Sequence, residues 1–320
     1  MCAIYGFVNY KNWVSGEKLK QLVKSLSVRS EERGTDASGI AYVRDSEIVI
    51  YKKPGPAHDN DFYFPPDTKI LTGHNRMTTH GNAEFNCNNH PFEGKTADGH
   101  FALCHNGVLY NYNYVKMAEK LPETKIETDT YVAVQLIEKY GRLNFSTVAQ
   151  MCETLEELFL FTILGDDNSL YIAKGGNPIC LLHFERLGLY LYTSTGSIMK
   201  EVLKGSFLEK EPFTQIEVED GDIFRIDSNG MIEKSYFDCQ KSYRGYSRYS
   251  FENYDYDLYE QLYQAAEMWG VSREEVDMLF ELGYDEDEIS IMIYDAEFVR
   301  ECLEEARMYL GEYAFVDECC

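Results

Sequence analysis

The chain has 320 residues, of which 44% are hydrophobic and 14% aromatic, enough for one large domain with a sizeable core and a smaller one. The formal net charge of −24 would repel phosphate backbones, so we expect no direct contact with nucleic acid. No apolar run reaches the roughly 20 residues of a membrane-spanning helix, no secretory signal is visible, and the nine cysteines lack disulfide-framework spacing. We therefore expect a cytoplasmic protein that does not associate with membranes.

The negative charge is concentrated at one end of the chain. Residues 251–320 hold 21 Asp and Glu against 3 Lys and Arg, a net charge of −18, which leaves −6 for the first 250 residues. This break predicts a domain boundary. We predict a first domain over residues 2–228, a polar, tyrosine-rich linker over 229–263 and an acidic helical module over 264–320.

In chain order, the first domain begins with a predicted buried strand at 3–9. A helix follows at 17–29, with Ser15 as its cap, and a hairpin joins strands at 40–43 and 48–51. Residues 82–99 are predicted to be irregular. Further strands are predicted at 70–73, 101–104, 158–164, 170–173, 179–184, 188–193 and 222–226, and further helices at 113–121, 129–140, 146–153 and 197–204. Since strands outnumber helices and the helices form two groups, we predict an α+β fold whose two sheets carry helices on their outer faces.

The acidic module has apolar residues at helical spacing between Val276 and Leu303. This pattern predicts a compact three-helix unit over residues 264–310.

The first chemical signal is the cysteine at position 2. Removal of Met1, which a small second residue permits, would leave Cys2 with a thiol and a free α-amine. An α-amine has a pKa of roughly 8, so near neutral pH it can accept the proton of the thiol. The alternative is that Cys2 is a small apolar residue at the start of a strand.

Four polar motifs follow, at residues 33–39, 74–81, 105–107 and 128–130. Each contains a residue with an ordinary structural explanation. Asn106-Gly107 is a common hairpin turn, Asp129 could cap the helix at 129–140, and Arg76 at a strand end could form a surface ion pair.

Metal binding is a further alternative. The candidate ligands that lie close together in the sequence are His74, His80, Cys87, His90, Cys104 and His105. They lack the paired spacing of structural zinc sites, and no glycine-rich phosphate loop is present. We therefore predict no metal site and no cofactor.

Taken together with Cys2, the order and spacing of these motifs resemble the glutaminase domain of class II glutamine amidotransferases, which are N-terminal-nucleophile hydrolases. The likeness is greatest to the glutaminase half of glutamine–fructose-6-phosphate aminotransferases, and it covers residues 2 to about 228, including the acidic turn at 219–222. The resemblance implies a four-layer αββα sandwich, here followed by the small acidic all-α module.

The resemblance also implies catalytic roles. Cys2 would attack the side-chain amide of L-glutamine and form a thioester, with its own α-amine relaying the proton to the departing ammonia. The negative oxygen formed by the attack needs fixed donors, and the side-chain NH₂ of Asn106 and the backbone N–H of Gly107 match the oxyanion hole of the family.

For substrate binding, the family pattern implies that Arg76 holds the α-carboxylate of glutamine through two parallel hydrogen bonds. Asp129 would pair with the α-ammonium group, and Thr79 and His80 would line the site. Asp36, in the turn at 33–39, is expected to order the loop near Cys2.

Three positions depart from the family pattern. Ala3 replaces a glycine, Met77 replaces an aromatic residue, and residues 157–160 replace a run of small residues. The third departure concerns packing away from the amide.

The remaining question is where the ammonia goes. Class II amidotransferases pass ammonia to a second domain, and the residues after 228 are too few for a sugar-isomerase pair or a phosphoribosyltransferase domain. We therefore expect an ammonia-accepting synthase subunit in trans. The alternatives are a stand-alone γ-glutamyl amidohydrolase and a non-catalytic glutamine-binding protein.

Overall fold

The computed structural model describes residues 2–155, 158–239, 255–282, 284, 289–290, 292–293, 296, 298–300 and 302–304. The chain divides into two compact units, residues 1–245 and 246–320. The bounds predicted for domain, linker and module stay a prediction. Within the stretch predicted as a linker, the structure has a strand at 232–236 and the start of a helix at 255, while 240–254 lie outside the described residues.

The first unit contains two sheets in which all neighbouring strands pair antiparallel. The strands are β1 (Ala3–Asn9), β2 (Ala37–Arg44), β3 (Glu47–Pro54), β4 (Ile70–Arg76), β5 (Phe92–Thr96), β6 (Gly99–Gly107), β7 (Phe159–Gly165), β8 (Ser169–Gly175), β9 (Cys180–Phe184), β10 (Leu189–Thr193), β11 (Thr214–Ile216), β12 (Asp222–Ile226) and β13 (Ile232–Tyr236). The seven-stranded sheet has the order β11-β9-β10-β1-β4-β2-β3, and the six-stranded sheet has the order β13-β12-β8-β7-β6-β5.

Helices accompany both sheets. In chain order they are α1 (Gly16–Arg29), α2 (Tyr112–Ala118), α3 (Tyr131–Tyr140), α4 (Phe145–Thr154) and α5 (Gly196–Leu203). The predicted cap of α1 is confirmed, because the Ser15 hydroxyl accepts a hydrogen bond from the backbone N–H of Lys18.

Apolar side chains of the first unit form three buried clusters. One joins α1 and α5 to the seven-stranded sheet, a second joins α2, α3 and α4 to the six-stranded sheet, and the third contains residues of both sheets. Strand β1 contributes to two clusters, since Tyr5 and Phe7 belong to the first and Ile4 and Val8 to the third. Alternating side chains of a strand point to opposite faces, so β1 is buried on both. The predicted combination of helices with two sheets is confirmed.

Three strands were not expected from the sequence. The prediction that 82–99 is irregular is wrong for β5, and β11 and β13 lie where no strand was predicted. All three are edge strands of their sheets. An edge strand with a solvated face needs no long apolar run, so apolar patterning did not reveal these three. The fourth edge strand, β3, contains the apolar run Ile48-Val49-Ile50 and was predicted.

The second unit is helical where it is described. Helices α6 (Asp255–Met268) and α7 (Arg273–Glu281) are followed by further helical residues between 289 and 304, so the third predicted helix lies partly outside the described residues. Ser272 and Glu275 form a capping box at the start of α7. A buried cluster includes Ala266, Val276, Leu279, Ile289, Ile293, Val299 and Leu303. No helix in the described ranges is both long and apolar enough to cross a bilayer.

A histidine hydrogen bond connects the two sheets. His74 in β4 donates from Nε2 to the backbone carbonyl of His105 in β6, at 2.8 Å. The His74 ring stacks on His90 with centroids 4.0 Å apart, and His105 stacks on Phe161 at 4.6 Å. Burial lowers the pKa of His74 to about 3 and that of His105 to about 4, and it also lowers the pKa of His90. These imidazoles are therefore neutral at physiological pH.

We predict that stability falls as the pH falls below 6.5. In the unfolded chain these histidines take up protons near pH 6.5, whereas in the folded chain His74 and His105 take them up only near their lowered pKa values. The free energy of unfolding should therefore decrease by up to about 1.4 kcal/mol per pH unit for each histidine. Urea unfolding between pH 7 and pH 5 measures this slope. It should be shallower in His105→Phe, and an equal slope in the variant would contradict the assignment.

Candidate active site

Cys2 lies directly before β1 and is half-buried. Its backbone carbonyl accepts a hydrogen bond from Nε of Arg33 at 2.8 Å, and its thiol donates to the carbonyl of Met77 at 3.4 Å. Burial raises the pKa of the Cys2 thiol, while the bond to Met77 and the nearby charge of Arg76 act in the opposite direction. The thiol is thus protonated at neutral pH and needs a proton acceptor before it can act as a nucleophile.

Arg76 ends strand β4 and is only 3% exposed. Its guanidinium donates to Oδ1 of Asn89 at 2.7 Å, to the carbonyl of Gly81 at 3.1 Å and to the carbonyl of His80. Burial lowers the pKa of Arg76, whereas Cys2 and Asp129 raise it. The alternative of a surface ion pair is therefore wrong, because the side chain is buried within the loop that follows its own strand.

Hydrogen bonds to residues at two other strands hold this loop in place. The Asp36 carboxylate, at the start of β2, accepts the backbone N–H of Thr78 at 2.7 Å, which confirms its expected role in ordering the loop. Lys52 in β3 donates from Nζ to the carbonyls of Asn89 at 2.5 Å and Pro91 at 3.0 Å. Burial lowers the pKa of Lys52 to about 8. The segment between β4 and β5 is thus held at both ends.

Asp129 lies just before helix α3 and is 3% exposed. One carboxylate oxygen accepts the backbone N–H of Leu109 at 2.7 Å, and the other lies 3.4 Å from the donating hydroxyl of Thr130. Thr130, and not Asp129, is the N-cap residue of α3. The alternative that Asp129 caps the helix is therefore wrong.

Asn106 and Gly107 end strand β6, opposite Leu160 and Phe159 of β7. They do not form a hairpin turn, so that alternative is also wrong. Gly107 has a φ of +147°, and a Cβ added there would lie 2.4 Å from the carbonyl oxygen of Leu158. Only glycine fits this backbone position. The Asn106 side chain is fully buried, and neither its nitrogen nor its oxygen has a hydrogen-bond partner in the described part of the chain.

One cleft brings most of the predicted site residues together. Those that line it are Cys2, Arg76, Thr79, His80, Gly107 and Asp129. The cleft holds about 240 Å³ of empty space, which includes its opening to solvent. Asn106, the seventh predicted residue, is adjacent to Gly107 in β6 but does not line the cleft.

Five further residues line the cleft that the sequence did not single out as site residues: Met77, His90, His105, Thr128 and Thr130. The signal for four of them was available, because Met77, His105, Thr128 and Thr130 lie within the motifs at 74–81, 105–107 and 128–130. His90 belongs to a stretch predicted to be irregular and carried no such signal. Across the described residues, no group of three or more His, Cys, Asp or Glu side chains is arranged to hold a metal ion.

Comparison with known proteins shows what this chain is similar to. No protein-family model matches the chain. A glutamine–fructose-6-phosphate aminotransferase (isomerizing) of Geobacillus kaustophilus strain HTA426 is 32% identical over 188 residues, which are 56% of this chain and 30% of that protein. The enzyme of the same name from Staphylococcus aureus strain Mu50 is 33% identical over 195 residues, 57% of this chain and 30% of that protein. The chain thus spans about 30% of the length of the curated relatives it matches.

Two solved structures share the fold. The glutamine phosphoribosylpyrophosphate amidotransferase from B. subtilis, complexed with ADP and GMP, superposes with a TM-score of 0.57 at 20% identity, over 74% of this chain and 49% of that chain. A structure of the allosteric regulatory enzyme of purine biosynthesis superposes with a TM-score of 0.58 at 20% identity, over the same shares. The sequence relatives confirm the resemblance of this chain to glutamine amidotransferases of class II, and the two solved structures show that it shares their fold.

Proposed function

We propose that the chain hydrolyses the side-chain amide of L-glutamine to glutamate and ammonia through a thioester on Cys2. The observation that carries this proposal is the presence of Cys2, Arg76 and Asp129 in one cleft. A thiol, a cation and a carboxylate match the side-chain amide, the α-carboxylate and the α-ammonium group of one glutamine molecule.

In the first step, removal of Met1 frees the α-amine of Cys2, and this amine takes the thiol proton while the sulfur attacks the amide carbon. The carbonyl oxygen becomes an oxyanion, which the backbone N–H of Gly107 and the side-chain NH₂ of Asn106 stabilise. Each such donor is worth about 3–4 kcal/mol in a transition state of this kind. Two observations support this assignment. Gly107 lines the cleft, and the Asn106 amide has no hydrogen-bond partner among the residues that the structure describes.

In the second step, the oxyanion collapses and the C–N bond breaks. The protonated α-amine of Cys2 returns its proton to the departing nitrogen. That nitrogen leaves as ammonia, and the thioester remains on Cys2. Water then adds to the thioester carbonyl and the C–S bond breaks. Glutamate is released, and the thiol regains a proton.

Arg76 and Asp129 hold the far end of the substrate in this proposal, and Thr79 and His80 line the site beside them. The three described acceptors of Arg76 use three of its five N–H groups, which leaves donors for a carboxylate. The backbone N–H of Leu109 orients the Asp129 carboxylate. Because this donor is uncharged, the negative charge of Asp129 is not neutralised by that hydrogen bond.

We also propose the finer architecture. The three buried clusters support a four-layer αββα sandwich in the glutaminase domain at 2–228, followed by the linker at 229–263 and the acidic helical module at 264–320. The ammonia acceptor would belong to a synthase partner in trans, and the cytoplasm would be the location.

Replacing the nucleophile should abolish the reaction. Cys2→Ala is expected to lower glutamate production from glutamine by about 10³-fold or more, because no sulfur remains to form the thioester. Cys87→Ala is the matched control, since Cys87 is exposed and does not line the cleft. Full activity in Cys2→Ala would refute the assignment.

The role of the α-amine can be separated from that of the thiol. An alanine inserted between Met1 and Cys2 keeps the thiol but converts its α-amine into a peptide nitrogen, which cannot accept a proton. We expect glutaminase activity to be lost although the thiol is retained, with mass spectrometry confirming both N-termini. Wild-type activity in the insertion variant, or in protein that keeps Met1, would rule out the amine as the base.

The carboxylate at position 129 should govern substrate affinity. Asp129→Asn keeps an oxygen that can accept the Leu109 N–H but removes the charge. Loss of a charged hydrogen bond costs about 1.5–3 kcal/mol, so the KM for glutamine should rise about 10- to 100-fold with a smaller change in kcat. Glu127→Gln is the control, because Glu127 binds Asn88 and does not line the cleft. Equal effects in both variants would contradict the assignment.

A further inference from the structure

His105 has an unused polar atom at the wall of the cleft. Its imidazole is only 1% exposed, and Nδ1 lies 2.9 Å from the hydroxyl of Thr130. The other ring nitrogen, Nε2, has no hydrogen-bond partner among the residues that the structure describes. Buried polar atoms are nearly always paired, so this one requires an explanation.

The contacts of Thr130 lead us to assign the ring hydrogen of His105 to Nδ1. The Thr130 hydroxyl lies 2.9 Å from Nδ1 of His105 and, as a donor, 3.4 Å from Oδ1 of Asp129. With the single hydroxyl proton assigned to Asp129, Nδ1 of His105 donates to Thr130. This leaves Nε2 with a lone pair. Burial lowers the pKa of His105 to about 4, so the lone pair persists at neutral pH.

Nε2 of His105 lies close to Gly107, the residue proposed as a donor of the oxyanion hole. The atom lies 2.7 Å from where a Cβ on Gly107 would stand, and both residues line the cleft. Stacking on Phe161 and the bond from His74 to the His105 carbonyl hold the residue in this place. A fixed hydrogen-bond acceptor thus lies next to the proposed donor of the oxyanion hole.

We propose that His105 is a specificity-determining residue, whose Nε2 accepts a hydrogen bond from the carboxamide NH₂ of glutamine and selects a primary amide over an ester or a carboxylate. The inference rests on the proposed function. A primary amide offers N–H donors beside its carbonyl, whereas the corresponding oxygen of an ester or a carboxylate offers only lone pairs. A buried acceptor facing a second acceptor is left unpaired, which weakens binding of the wrong group.

The test compares one enzyme on two substrates, L-glutamine and the γ-methyl ester of L-glutamate. His105→Phe keeps the ring that stacks on Phe161 and removes the acceptor. We expect kcat/KM for glutamine to fall about tenfold while kcat/KM for the ester changes little, since only the amide loses a hydrogen bond. The ratio of the two values separates this effect from general damage to the cleft.

Thr130→Val provides a second variant that keeps the imidazole. Without the hydroxyl, the ring proton is free to move to Nε2, which then donates instead of accepting. The amide-to-ester ratio should fall in this variant as well, so the inference remains testable if His105→Phe does not fold.

The outcomes are distinguishable. Equal losses on both substrates, or an unchanged ratio in a folded variant, would overturn the inference and leave the glutaminase proposal intact. A wild-type protein with a processed Cys2 that hydrolyses neither substrate would overturn the proposed function and, with it, this role for His105.

Discussion

The hydrogen bond from His74 to the carbonyl of His105 is the constraint on which the cleft depends, because it connects β4 of one sheet to β6 of the other. Two residues further along each strand lie Arg76 and Gly107. Since residues two apart in a strand point to the same face, fixing the histidines also fixes where Arg76 and Gly107 line the cleft. Arg76 and Gly107 therefore come from different sheets, and the same hydrogen bond between His74 and His105 fixes the position of both.

Burial decides the charge distribution in this region. It keeps His74 and His105 neutral, with pKa values of about 3 and about 4, so neither adds positive charge beside Arg76 at physiological pH. Arg76 and Asp129 then provide opposite charges in the cleft. An α-amino acid carries the complementary pair of charged groups on its α-carbon. In the proposed function, Arg76 and Asp129 therefore bind the main-chain end of glutamine, and the side-chain end is left for Cys2.

The sequence predicted the site better than it predicted the edges of the sheets. Cys2, Arg76 and Asp129 are far apart in the chain, yet the family resemblance carried by the order of the motifs assigned them to one site, and all three line the same cleft. Strands β5, β11 and β13 were not predicted because, unlike the edge strand β3, they contain no run of apolar residues.

Contacts that depend on sheet packing were also invisible in the sequence. The bond between His74 and His105 joins residues 31 positions apart, and Lys52 reaches Asn89 across 37 positions. No local pattern encodes such pairs, since they arise only when strands of different sheets or loops are brought together. The position of His90 in the cleft has the same origin, as its ring stacks on His74.

The two buried polar groups beside Gly107 have opposite needs. Asn106 has a side-chain donor, and His105 has an acceptor at Nε2, and neither atom is paired within the described chain. Leaving both unpaired costs about 1–3 kcal/mol for each group. A carboxamide carries a carbonyl oxygen and an NH₂ on one carbon, so in the proposed function it can accept from the backbone N–H of Gly107 and donate to Nε2 of His105 at the same time. A carboxylate can satisfy only the first of these, so the same proposal gives a physical basis for distinguishing glutamine from glutamate.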